Sequence, residues 1–139
     1  MRIVALDFGE KRIGVAISDP LKIIAQGIGF IAKADTYEKD AATLKELLKD
    51  YSCIEEIVVG LPKTLKGEIG FSAQKVLDFV EVLKKSFEVK ISTWDERFTT
   101  ASATKSLIEM GLSREKRKKV IDRTAATIIL QEYLGRITK

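Results

Sequence analysis

Three features of this 139-residue chain predict an α/β fold built in layers. Residues 3–6 are uninterrupted apolar, as in a strand buried on both faces, and the stretch 3–19 reads as two apolar strands joined by a polar connection. Apolar side chains then recur at helical spacing in several later segments. Along the chain the order β-β-β-α-β-α-β-α-α predicts one sheet covered by helices, in a single domain spanning 1–139.

The first strand runs onto an acid, Asp7, and a carboxylate at the end of a core strand is costly unless something uses it. Gly9, and Gly14 inside the second strand, remove side chains that would keep a ligand or another backbone away from Asp7. An ordinary turn is the plainer reading of Asp and Gly here, and the rest of the chain weighs against it. Pro20 marks a turn, after which 23–31 reads as a third strand that Gly27 and Gly29 favour at an edge or a bulge. Asp35 or Thr36 caps a helix, with Glu38 placed as in a capping box and Tyr37, Ala41, Leu44, Leu48 and Tyr51 on one face.

Residues 57–59 form a short buried strand that stops at Gly60-Leu61-Pro62, and the basic loop that follows carries Lys63 and Lys66. Ligands of α/β sheets bind outside the carboxyl ends of strands, where this loop and Asp7 both emerge. Lys63 and Lys66 are therefore candidate phosphate contacts, although a solvated loop has the same composition. Ser72 precedes a second helix, with Val76, Phe79, Val80, Leu83 and Phe87 as its core stripe. Val89, Ile91 and Thr93 then alternate with Lys90, Ser92 and Trp94 in a strand exposed on one side, and it delivers Asp95-Glu96-Arg97 at its end. Alternation puts Asp95 and Glu96 on opposite faces without deciding which meets Asp7. Thr99 or Thr100 caps a third helix that Gly111 ends. The last helix aligns Asp122, Ala125, Ala126, Ile129, Leu130, Tyr133 and Leu134, so Asp122 shares the apolar face; an N-cap is the other role open to it.

With 45% hydrophobic and 32% charged residues the composition is that of a soluble globular protein. No apolar run approaches the roughly 18 residues of a membrane span, and no signal-peptide pattern opens the chain, so the expected location is cytoplasmic with no membrane partner. A single cysteine, Cys53, excludes an internal disulfide and reads as a small buried residue. The lack of histidine removes the usual general base, the Ser-His and Cys-His pairs and imidazole ligation, and with one cysteine it excludes an ordinary zinc site. Any metal must be held by oxygen, which selects Mg²⁺ or Mn²⁺.

The net charge of +4 is unevenly spread: 97–139 holds ten Lys or Arg against four acids, whereas 1–96 holds fourteen against sixteen. The densest run comprises Arg114, Lys116, Arg117, Lys118, Lys119 and Arg123. Such segregation suggests a polyanionic partner over a merely solvated face, and clustered Lys and Arg meet backbone phosphates rather than bases.

Three separate elements thus bring Asp7, Asp95 or Glu96, and Asp122 to the strand ends, where converging carboxylates would repel one another without a cation. Two Mg²⁺ or Mn²⁺ ions about 4 Å apart would neutralise them, activate a water and stabilise the leaving oxygen of a phosphodiester. With these residues in view, the chain resembles the YqgF family, also called RuvX, of the RNase H-like superfamily. The resemblance covers essentially the whole chain. It is carried by Leu6-Asp7-Phe8-Gly9 with Arg12-Ile13-Gly14-Val15-Ala16 and Ser18-Asp19, by Val59-Gly60-Leu61-Pro62, by Asp95-Glu96-Arg97-Phe98-Thr99-Thr100, and by Asp122 with Ala125-Ala126 and Ile129-Leu130.

What this resemblance implies is an RNase H-like mixed five-stranded sheet, strands 1 to 3 antiparallel, flanked by helices. It also implies a divalent-metal-dependent nuclease, a hydrolase with catalytic and metal-binding acids at Asp7, Glu96 and Asp122. Asp95 is a further candidate ligand, and Arg97 joins the candidate nucleic-acid contacts. The implied task is 5′-end maturation of 16S ribosomal RNA, part of ribosome biogenesis, with Holliday junction resolution as an older assignment. Two other classes stay open. One is a non-catalytic nucleic-acid-binding RNase H-like module, against which the three acids argue. The other is an ATP-binding actin- or sugar-kinase-like domain, because the Asp-x-Gly hairpin followed by Gly-Val-Ala resembles its phosphate-binding hairpin; 139 residues leave no second domain to close over ATP.

Overall fold

Val4, Leu6 and Phe8 leave the first strand, β1 (Arg2–Phe8), on one side of the sheet, and Ile3, Ala5 and Asp7 leave it on the other. The computed structural model describes residues 1–9, 11–62, 70–95 and 108–137, with the side chains of 117–123 outside the description. After β1 come β2 (Arg12–Ser18), β3 (Ala25–Ala32), α1 (Tyr37–Leu48), β4 (Ile54–Leu61), α2 (Phe71–Ser86), β5 (Lys90–Asp95) and α3 (Arg114–Ile137). The sheet order is β3-β2-β1-β4-β5, antiparallel across β1, β2 and β3 and parallel across β1, β4 and β5. This is the mixed five-stranded sheet that was expected. The carboxyl ends of β1, β4 and β5 consequently lie along one edge.

Each face buries its own core. On the Val4 side, Leu6, Ile13, Val15, Ile57 and Val59 meet Leu44 and Leu48 of α1 and Phe79 and Leu83 of α2. Phe79 is fully buried, its ring centred 4.8 Å from that of Phe8 and 5.8 Å from that of Tyr37, and burying such a side chain contributes about 1.5–3 kcal/mol. On the Ile3 side, Ala5, Ala16 and Val58 are small or short, so α3 can lie close with Ala126, Ile129, Leu130 and Leu134.

Several boundaries differ from the sequence reading, each for a local reason. β3 begins at Ala25 rather than 23 because the N–H groups of Ile23 and Ile24 donate to Asp19 Oδ1, at 2.7 and 2.8 Å, and so belong to the turn. Those bonds hold the Asp19 carboxyl below the usual carboxylate range. β3 is an outer strand, as its glycines suggested; the register shifts between Val15 and Ala16, opposite Gly29 and Gly27, and Gly29 takes a φ of 127° there. β4 is longer than 57–59 because β1 pairs with it from Ile54 to Val59 and β5 carries the ladder on to Leu61. Helix α1 is capped by Thr36, whose hydroxyl accepts from Lys39 N–H at 3.2 Å, while Asp35 pairs with Lys39 at 2.9 Å instead of forming a capping box with Glu38. Helix α2 starts at Phe71, one residue ahead of Ser72, with Gly70 as N-cap and no side-chain cap.

Cys53 is exposed, contrary to expectation. It sits in the α1–β4 connection with a φ of 59°, and its carbonyl accepts from Arg2 N–H at 2.7 Å, so it serves a turn and not the core. Of the expected third helix, Ile108 and Glu109 are helical and Gly111 ends the segment with a φ of 79°, its N–H donating to Ile108; 99–107 lie outside the described residues. The last helix starts well before Asp122. Ser113 Oγ accepts from Lys116 N–H at 3.3 Å, and the Glu, Lys and Arg that follow are strong helix formers, so the basic run is the opening of α3 and Asp122 is interior to it, not its N-cap. No helix among the described residues is long and apolar enough to cross a membrane.

Candidate active site

The site is built around Asp7, half-buried near the end of β1 on the face that α3 covers. In β2 its partner is Gly14. In β4 the register sets Leu6 against Val59, and one residue further brings Gly60 beside Asp7. Both strand neighbours of the acid therefore lack side chains. A Cβ placed on Gly14 would lie 3.6 Å from Asp7 Cβ, 3.6 Å from Ala126 Cβ and 3.4 Å from Phe30 Cε1, so acid, helix and an aromatic ring converge over this glycine. Gly9 has a different task. Its N–H donates to Arg12 O at 3.0 Å, and a Cβ there would sit 2.8 Å from that oxygen, so only glycine closes the hairpin this tightly and starts β2 at Arg12.

Helix α3 runs back along the sheet from this point. Ala126 lies beside Asp7 at the carboxyl end of β1, whereas Tyr133 reaches Glu56 at the amino end of β4. Asp122 precedes Ala126 by one turn, about 6 Å along the axis, so its backbone lies on the Asp7 side of that contact. Arg114 and Lys116 are exposed in the first turn; Arg117, Lys118, Lys119 and Arg123 belong to the same helix, with side chains outside the description.

In β5, Ser92 and Trp94 turn toward α3: Ser92 Oγ donates to Glu56 Oε2 at 2.6 Å, and Trp94 meets the Tyr133 ring edge-on at 5.7 Å and the Arg136 guanidinium at 5.5 Å. The face expected to be bare is thus partly covered. Ile91 turns the other way into the α1–α2 core, and Asp95, four residues on and paired with Leu61 of that core, shares its parity. Asp95 is on the opposite face from Asp7. Glu96, Arg97, Lys63 and Lys66 lie outside the described residues. No three potential metal ligands gather among the described residues, a set that lacks the side chains of Glu96 and Asp122.

Comparison with known proteins agrees with this architecture. The family model described as RuvX: Holliday junction resolvase matches residues 1–136. The chain belongs to the RuvX family. A relative in Clostridium acetobutylicum, named "Putative pre-16S rRNA nuclease", is 51% identical over 99% of this chain and 100% of its own length, and one of the same name in Desulforamulus reducens is 51% identical over 96% of each. Among solved structures, Thermus thermophilus RuvC in complex with a Holliday junction substrate superposes with a TM-score of 0.58 at 15% identity, covering 99% of this chain and 96% of that one. The fowlpox virus Holliday junction resolvase gives 0.55 at 15% identity, over 98% and 99%. At those identities the likeness is one of fold, and that fold is the RNase H-like one.

Sequence reasoning passed over a second acid of the RuvX chain. Glu56 is 7% exposed at the amino end of β4, on the same face as Asp7, where its Oε2 accepts from Ser92 and, at 2.7 Å, from Tyr133 OH, with Lys90 Nζ at 3.8 Å. Burial, then the bond to Glu56, push the Tyr133 phenol up to about 12. The available signal was alternation, because Glu56 shares parity with the buried Val58. A groove of about 870 Å³ lined by Lys45, Lys84, Lys85, Phe87 and Val89 lies by the amino end of β5, away from the carboxyl edge that carries Asp7.

Proposed function

We propose that this RuvX chain, as a single RNase H-like domain spanning 1–139, is a divalent-metal-dependent nuclease acting in the cytoplasm on the 5′ end of pre-16S ribosomal RNA. The observation that carries the reading is Asp7, presented at the carboxyl end of the central strand between two glycines and beside α3. The family model and the names of relatives about half identical over their full lengths support the activity and the substrate.

The donor set suits Mg²⁺ or Mn²⁺: the chain has no histidine, its one cysteine lies in the distant α1–β4 turn, and the acid at the site is a hard oxygen donor. Asp7, Glu96 and Asp122 would hold the ions. When bound, these supply an activated water and positive charge for the leaving oxygen. The protein's own part is positional. Gly14 and Gly60 leave room for a phosphodiester at the Asp7 carboxylate, and the basic opening of α3, from Arg114 through Arg123, with Arg97, Lys63 and Lys66 in support, holds the flanking phosphates. Junction resolution is the second reading, favoured by the family description and the RuvC-like fold.

Purified protein with Mn²⁺ or Mg²⁺ is to be offered pre-16S fragments and four-way DNA junctions side by side. Cleavage of the RNA, abolished by EDTA, is expected. Cleavage of junctions alone would move the assignment to resolution, and binding without cleavage of either would leave a non-catalytic module.

A further inference from the structure

We propose that Arg12 and Phe30 form a platform on which an unpaired nucleobase stacks beside Asp7. The proposal rests on the nuclease reading and adds how the substrate strand is seated. Phe30 pairs with Gly14 across β2 and β3, and its ring lies over the same glycine that Asp7 and Ala126 approach. It is nevertheless 42% exposed, on an outer strand, whereas its neighbour Ile31 on the other face is 4% exposed. Arg12 shares a face with Gly14, and its guanidinium carbon lies 4.1 Å from the centre of the Phe30 ring.

The two side chains together place a guanidinium over a half-exposed aromatic ring near the acid. A guanidinium lying on a ring keeps its N–H groups in its own plane, where they suit a phosphate, while its outer face and the exposed part of the ring suit a base. Unpaired bases stack on such surfaces with little sequence preference, because every base has a π face. A base inside a duplex has both faces covered by its neighbours and cannot use the platform. The Arg12–Phe30 pair therefore selects an unpaired stretch at the cleavage point, and the hairpin closed by Gly9 fixes its distance from Asp7.

The test uses RNA and DNA oligonucleotides carrying 2-aminopurine, with EDTA present so that nothing is cut. Wild-type protein should quench the fluorophore in single strands of either sugar. Phe30→Leu keeps an apolar side chain over Gly14 but not the ring; it should lose the quenching and bind single strands about tenfold more weakly. Phe30→Trp should retain both, and Arg12→Lys, with charge but no plane, should lose the quenching. Fully paired duplexes should bind all variants alike. Wild-type quenching and affinity in Phe30→Leu, or an equal loss on duplex, would overturn the platform. Stacking by a wild-type protein that cuts nothing with Mn²⁺ would sink the nuclease reading and leave the platform standing, whereas a wild-type protein that binds neither strand overturns both.

Discussion

Asp7 and Glu56 are two carboxylates on one face of one sheet, under one helix, at opposite ends of it. Glu56 is surrounded by donors, with Ser92 and Tyr133 both bonded to its Oε2. Asp7 has Gly14 for its partner in β2 and, one residue past the Leu6–Val59 pair, Gly60 in β4, so neither strand neighbour at its level carries a side chain. The hydrogen bonds from Ser92 and Tyr133 offset the desolvation of Glu56, whereas what distinguishes Asp7, the acid proposed above to hold metal, is the pair of glycines that flank it. Helix α3 serves both ends, and its docking at Glu56 helps fix where Ala126 lies beside Asp7.

The largest effect should come from Asp7→Asn, which removes a charge without changing size. Loss of one group aimed at the charge of the transition state commonly costs about 10²–10³ in rate, and loss of a metal-holding carboxylate should cost no less. Metal-dependent cleavage should fall by at least that factor while the urea midpoint stays near wild type. A destabilised variant that still cuts would make Asp7 a second Glu56 and end the contrast.

The opposite pattern is expected at the other end. Glu56→Ala strips the partner from two hydroxyls in a partly buried setting and should cost about 2 kcal/mol of stability with turnover retained, and Tyr133→Phe about 1 kcal/mol. Tyr133 adds a pH signature with a definite sign. Its phenol is raised from 10.0 to about 12 in the folded protein, so above pH 10 the unfolded chain gives up a proton that the folded chain keeps. The tyrosine's contribution is complete below pH 10 and is lost as pH rises through about 12. Urea midpoints measured across this window should fall more steeply for wild type than for Tyr133→Phe; parallel curves would show that the bond to Glu56 does not hold that proton.

The Asp7 end was legible in the sequence because its signals are local: an apolar run ending on an acid, and glycines at fixed spacing from it. The edge position of β3 was legible for the same reason, since Gly27 and Gly29 weaken a central strand wherever it sits. Glu56 was not, because its partners come from β5 and α3, 36 and 77 residues away, and nothing nearby announces them. The N-cap role stayed open to Asp122 only while α3 seemed to begin with its apolar stripe; a run of Lys and Arg with no breaker simply continues as helix. Cys53 misled because a cysteine is usually buried, whereas its place in a left-handed turn follows from how α1 must return to the sheet.

The smallest effect sharpens the contrast most, because it concerns two adjacent acids. Alternation in the sequence left Asp95 and Glu96 equivalent until something identified the two faces, and the partners of β5 now do so. Ser92 and Trp94 face α3 and Glu56, as Asp7 faces α3, while Ile91 belongs to the α1–α2 core and Asp95 shares its parity opposite Leu61. An acid on that side of the sheet cannot join Asp7 without crossing the strand. Asp95→Asn should therefore change cleavage by no more than about threefold, the scale of a charge lost away from the reacting atoms. Glu96→Gln should match the loss seen in Asp7→Asn, since Glu96 is the acid that the family resemblance assigns beside it. Rates measured over a Mn²⁺ titration decide between them: if Asp95→Asn were the severe variant and Glu96→Gln the mild one, the strand would have to turn over at its last residue and the pairing of acids proposed for this site would be wrong.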